Sequence, residues 1–194
     1  MLEHREQNLE EEEQKKHIFL EIGPDLSPVP MVGKRKFDGN NYYVGIDINA
    51  DSVESDKKRA ESHGMKNVSF AQGDGRKMPF ADETVDEVFL SNVFGSPKVA
   101  NDEKTINLLF NEISRVCQKN GILIIKETNT PEAMHYDKIK EIAEQYGFTV
   151  EQMVRKGDEN WDEMIELYST GGFRYIESQE SYIVSLKKLS REEK

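Results

Sequence analysis

Four polar stretches stand where this 194-residue chain could do chemistry: "EIGPDLS" from Glu21 to Ser27, "GIDIN" around Asp47, "GDGRKMPF" around Asp74, and "SNVFGSP" around Asn92. Each follows a short apolar run, and in an open α/β sheet a ligand sits just beyond the carboxyl ends of such strands. Asp47 lies about as far downstream of the Gly23 turn as the acid that takes a ribose in dinucleotide folds, and a carboxylate there accepts two hydrogen bonds from vicinal hydroxyls. It could equally be a solvent-facing acid that caps the next helix. Asp74, between two glycines, could accept a hydrogen bond from an adenine amino group or simply close an Asx-turn. Met78 and Phe80 could wall a base or belong to the core.

The elements that must position these residues are legible as alternating periods. Runs rich in β-branched and aromatic residues predict strands at 17–22, 42–46, 68–71, 85–90 and 122–126. Between the second and third, "NADSVESDKKRAESHG" predicts a helix with Asn49 or Asp51 as N-cap and Gly64 as its stop. Between the fourth and fifth, Ile106, Leu109, Phe110, Ile113, Val116 and Cys117 share one helical stripe that ends at Asn120 and Gly121. The first crossover, 24–41, has Ser27 as a cap and Pro28 and Pro30 in a first turn, but Gly33 and "DGNN" leave room for only a stubby helix. After the fifth strand, a helix opens at Thr130 and Pro131 and closes at Gly147, and another runs from 158 to 169. "GFTVEQMV" between them reads either as a short strand or as part of a flap. "FRYIESQESYIVSLKK" reads as two strands of an antiparallel hairpin.

Composition bounds the partners. A formal net charge of −11 opposes broad nucleic-acid or anionic-membrane binding, which depends on clustered Lys and Arg. The basic "GKRKF" at 33–37 reads as a solvated face. A small molecule is the expected partner, and a homodimer is left open. The single cysteine, Cys117, forms no internal disulfide and suits a reducing compartment. No run is long and apolar enough for a bilayer, and the charged start carries no signal-peptide core, so the expected location is cytoplasmic. Residues 1–16 form a charged arm or solvated helix, and 17–190 a single domain in which 128–172 is a substrate-side insertion. No His and Cys cluster has metal-ligand spacing, so no metal is expected, and neither a nucleophile elbow nor a phosphate loop is present.

Taken together, "IFLEIGP", "GIDIN", "QGDGRKMPFADETVDEVFLSNVF" and "EISRVCQKNGILIIKE" resemble the class I S-adenosylmethionine-dependent methyltransferases over more than half of the chain. The resemblance implies an α/β, doubly wound, Rossmann-like sheet of seven mostly parallel strands ending in an antiparallel hairpin, with S-adenosyl-L-methionine as cofactor. By position it implies a cofactor set of Glu21, Gly23, Asp25, Asp47, Ile48, Asp74, Gly75 and Asn92. The expected reaction is methyl transfer from the sulfonium to an unidentified acceptor, a small molecule. His135 is the candidate general base, its ordinary pKa lying near neutrality, against the reading of an exposed helix histidine. Phe94, Met134, Tyr136 and Trp161, with Tyr168, are candidates for the substrate side, against core packing.

The chain departs from the family in the first loop, where Asp25 and Ser27 occupy positions usually held by glycine. A pyrophosphate there would be repelled by Asp25, which opposes a nicotinamide- or flavin-dependent oxidoreductase. A phosphate-free cation tolerates it. The same departure keeps a second reading open, a methyltransferase-fold binding module that methylates nothing.

Overall fold

The computed structural model describes residues 15–24, 28–32, 35–95, 97–127, 135–168 and 181–190. Seven strands form one sheet: β1 (His17–Ile22), β2 (Asn41–Asp47), β3 (Val68–Gln72), β4 (Val85–Ser91), β5 (Cys117–Glu127), β6 (Phe148–Arg155) and β7 (Tyr182–Lys188). Their order is β3-β2-β1-β4-β5-β7-β6. β7 runs antiparallel to both of its neighbours, and the other pairs are parallel. The sheet therefore winds outward in both directions from β1, and its order reverses between β1 and β4, the place where a crevice opens at the carboxyl edge.

Helices α2 (Ala50–Ser62), α4 (Glu103–Val116), α5 (Tyr136–Gln145) and α6 (Trp161–Tyr168) cover the two faces, with single turns α1 (Val29–Val32) and α3 (Pro97–Ala100) between them. α4 is the best determined by its sequence. Asp102 accepts the backbone N–H groups of Lys104 and Thr105 at its start, and the stripe of Ile106, Leu109, Phe110, Ile113 and Val116 is buried. Burying each such side chain stabilises the fold by about 1.5–3 kcal/mol. Asn49 caps α2, accepting from Asp51 and Ser52.

Two apolar clusters result. One, under α4 and α5, joins Leu20, Ile22, Leu90, Phe94, Phe110 and Tyr182. The other, on the opposite face, joins Phe19, Tyr43, Phe89, Val154 and Trp161. Because α1 has only one turn, it leaves the rings of Phe19 and Phe89 to be covered from elsewhere. Tyr168, at the end of α6, lies 6.5 Å from Phe19 and 5.5 Å from Phe89, centroid to centroid. Arg35 lies over Phe19 at 4.5 Å while its guanidinium bonds Glu87. A helix from the far end of the chain thus covers what the stubby first crossover does not.

Several expectations are met and some are revised. The doubly wound, seven-stranded, mostly parallel sheet with antiparallel final strands is present, and the first crossover is a stub. β5 starts earlier than expected, so Cys117 leaves α4 and opens the strand, its helical stripe position notwithstanding. Asn120 adopts a left-handed φ of 60° there, a local irregularity that no apolar period signals. "GFTVEQMV" resolves as strand: it supplies most of β6, an edge strand of the sheet inside the span expected as an insertion. The antiparallel partner of β7 on its outer side is β6. The first half of the expected hairpin and the opening of the helix at Thr130 and Pro131 lie outside the described residues.

Candidate active site

The strand tips align along one edge because the ladders run on past them. Gly23 donates its N–H to Ile46, Gly73 to Asp47, and Asn92 to Lys126. Gly23 has a left-handed φ of 70°, which turns the chain sharply out of β1, and a Cβ placed on it would lie 3.8 Å from Val93. The turns after β1 and β4 therefore face each other across the point where the order reverses.

Glu21 is the most unusual group at this edge. It has no exposed surface. Its Oε2 accepts the backbone N–H of Val29 at 2.9 Å and the hydroxyl of Tyr43 at 2.6 Å, and its Oε1 has no partner among the described residues. Burial pushes its pKa up to about 7, against the pull of the bonds from Tyr43 and Val29. A carboxyl group left half-satisfied in a buried place is a strong acceptor for a cation or an N–H donor.

Asp47 does not cap α2, since Asn49 does. Its Oδ1 accepts the N–H of Asn49 at 2.7 Å, which holds the β2 tip in a tight turn. Ile48 beside it is 67% exposed, an apolar surface at the lip of the crevice. Asp74 forms the Asx-turn: its Oδ1 accepts the N–H of Arg76 at 2.9 Å, and the Arg76 guanidinium grips both oxygens. Those Arg76 bonds hold the Asp74 carboxyl below its usual range. Gly75 is required by packing, because a Cβ there would lie 2.8 Å from Ile22 Cγ2 and 3.1 Å from Leu109 Cδ1. The Asp74 turn can sit against the tip of β1 only without that atom.

The described substrate-side candidates divide between the two faces, Phe94 and Tyr136 with the α4 cluster and Trp161 and Tyr168 with the other. Phe94 is fully buried and stacks on Phe110 at 5.6 Å, so its ring belongs to the core. Trp161 and Tyr168 pack into the cluster on the opposite face. Tyr136 meets Tyr182 edge-on at 5.8 Å beside β5. Periodicity places each of these on an apolar stripe without saying which face of the sheet the stripe covers. His135 stands at the N-cap of α5, 69% exposed at its side chain, 3.3 Å from Asp137. Met78 is buried in the α4 cluster, and half-buried Phe80 packs against that cluster. Asn92 is exposed at the β4 tip with a φ of 55°. Asp25, Ser27 and Met134 lie outside the described residues.

One tip residue was missed. Glu127 ends β5, has no exposed surface, and accepts the N–H of Phe94 at 2.9 Å. Burial pushes its pKa up to about 8. The signal was available: "ILIIKE" closes an apolar strand with an acid, just as "IFLE" and "GID" do.

Comparison with known proteins agrees with this architecture. A model of the methyltransferase domain matches residues 32–172. The ubiquinone/menaquinone biosynthesis C-methyltransferase UbiE of Legionella pneumophila is 24% identical over 160 residues, 82% of this chain and 60% of that protein. The chain spans between 36% and 60% of the length of the curated relatives it matches. Among solved structures, a SAM-dependent methyltransferase from Aquifex aeolicus superposes with a TM-score of 0.63 at 18% identity, covering 90% of this chain and 84% of that one. The [4+2]-cyclase SpnF superposes with a TM-score of 0.67 at 15% identity, covering 90% and 75%. Fold, strand order and domain match together define a class I methyltransferase domain. The chain belongs to the methyltransferase-domain family of S-adenosylmethionine-dependent enzymes.

Proposed function

We propose that the chain binds S-adenosyl-L-methionine at the carboxyl edge between β1 and β4 and transfers its methyl group to a small-molecule acceptor. The observation that carries this reading is the unpartnered, buried Oε1 of Glu21 beside a sharp glycine turn. It suits a ligand that brings an ammonium group and a sulfonium and no phosphate. Asp47 would hold the ribose hydroxyls, and the exposed face of Ile48 would lie against the adenine. Asp74 contributes to the adenine pocket only insofar as Arg76 shares it. The bound cofactor supplies an activated methyl carbon. The chain's own residues have to orient that carbon, exclude water and receive a proton where the acceptor loses one.

A small molecule suits the net charge of −11 better than a nucleic acid does. The names of the curated relatives motivate testing ring-carbon acceptors first. A reducing, cytoplasmic setting suits the lone buried thiol of Cys117. Among the described residues no helix is long and apolar enough to cross a membrane. The likeness to a cyclase supports one other reading, a methyltransferase fold that uses the crevice for different chemistry.

Titration calorimetry with S-adenosylmethionine, S-adenosylhomocysteine and NAD tests the binding. Micromolar affinity for the first two, lowered about ten- to a hundredfold by Asp47→Ala, is the expected result, since a hydrogen bond to a charged group is worth about 1.5–3 kcal/mol. Binding of NAD alone would refute the reading. Formation of S-adenosylhomocysteine in the presence of a panel of ring acceptors then separates methyl transfer from the alternative.

A further inference from the structure

The turn after β4 forms one lip of the crevice, and it is held from below. The ring of Phe94 is sunk into the α4 cluster against Phe110, while its backbone N–H donates to Oε1 of Glu127 at 2.9 Å. The neighbouring N–H groups of Val93 and Gly95 also favour the charged form of that carboxyl. Its Oε2 is buried with no hydrogen-bond partner among the described residues. A Cβ on Gly95 would come within 3.3 Å of Oε2, so the turn wraps closely around the acid. Glu127 stands beside Tyr182 of β7 in the strand register, and Tyr182 in turn meets Tyr136 of α5. The carboxyl group therefore ties the turn after β4 to the tip of β5, next in register to the aromatic pair of β7 and α5.

We infer that Glu127 is a positioning residue for the acceptor side of the crevice, holding the 92–95 turn by accepting the backbone N–H of Phe94. The assignment of that side to the acceptor rests on the proposed methyl-transfer site. The hold depends on charge. An ionised carboxylate accepts amide hydrogens more strongly than the neutral acid does, so the turn is gripped most firmly when Glu127 has lost its proton. The groups that face it set where that happens. Lys126 of β5 favours the charged form, and Tyr182 of β7, opposite in register and in ring contact with Tyr136 of α5, feels the charge of Glu127. Burial outweighs the pull of the Phe94, Gly95 and Val93 amides and of Lys126, and pushes the carboxyl up to about 8.

The test follows the backbone amide signals of the 15N-labelled full chain, without ligand, over about two pH units on either side of 8. The Phe94 amide proton should move downfield as pH rises, with a midpoint near 8, and the Val93 and Gly95 signals should move with it. In Glu127→Gln the three should no longer titrate in that range. In Gly95→Ala the added methyl crowds Oε2, and the midpoint should rise. A Phe94 amide that does not titrate in the wild type, or that titrates unchanged in Glu127→Gln, overturns the inference. Should Glu127→Gln fail to fold, the wild-type titration and Gly95→Ala decide. S-adenosylhomocysteine titrated into the wild type by calorimetry tests the methyl-transfer site separately, so a silent crevice and a silent amide are different results.

Discussion

Binding of the cofactor should expel protons, and Glu21 should be their source. With its pKa near 7, about half of the Glu21 population carries a proton at pH 7. An ammonium group placed against the unpartnered Oε1 favours the charged form and returns the carboxyl toward its ordinary range. Binding at pH 7 should therefore release about half a proton per ligand. Calorimetry in phosphate and in Tris, whose ionisation heats differ, reads that number directly from the difference in apparent enthalpy. S-adenosylmethionine and S-adenosylhomocysteine should release similar amounts, since both carry the ammonium and only one carries the sulfonium. Glu21→Gln keeps the shape, removes the titration, and should abolish the release while weakening both ligands about ten- to a hundredfold. Release that persists in Glu21→Gln, or an affinity that does not change, would refute the assignment of Glu21 as the partner of the ammonium.

The same shift predicts the pH dependence of the ligand-free protein. Because folded Glu21 keeps its proton to a higher pH than the unfolded chain does, stability falls as pH rises from about 4.5 to about 7, by up to roughly 3 kcal/mol. Urea unfolding at several pH values should show a decline that is shallower in Glu21→Gln, and a parallel pair of profiles would contradict it. Gly75→Ala forces a Cβ against the buried Ile22 and Leu109 and should cost about 1–3 kcal/mol, read as a fall in Tm of about 2–4 °C per kcal/mol. Tyr168→Ala uncovers Phe19, Phe89 and the Arg35 guanidinium. It should cost about 2–4 kcal/mol in urea unfolding, whereas a cost near zero would mean that α6 does not cover for the short α1.

What the sequence by itself determined was whatever depends on neighbours along the chain. β1 runs from His17 to Ile22 as its apolar run predicts, and β2, β3 and β4 lie within a residue of theirs, because short runs rich in β-branched and aromatic residues bounded by turn residues are a local signal. The stripe of α4 and the stop at Gly64 are equally local, the one a 3.6-residue period and the other a residue that tolerates a φ of 65°. The acids at the tips, Glu21, Asp47 and Asp74, could be located because a polar residue that ends an apolar run is itself a local signal. Tertiary structure alone decided what those acids meet. Glu21 is buried against Tyr43, Asp74 is gripped by Arg76, and Glu127 reaches back 33 residues to Phe94. It also decided that Trp161 and Tyr168 cover the face opposite to Phe94, and that the strand beside β7 is β6. The physical reason is that burial and pairing are properties of chain segments that meet only after folding. A carboxylate has the same formula at every strand tip, and its surroundings decide whether it keeps a proton.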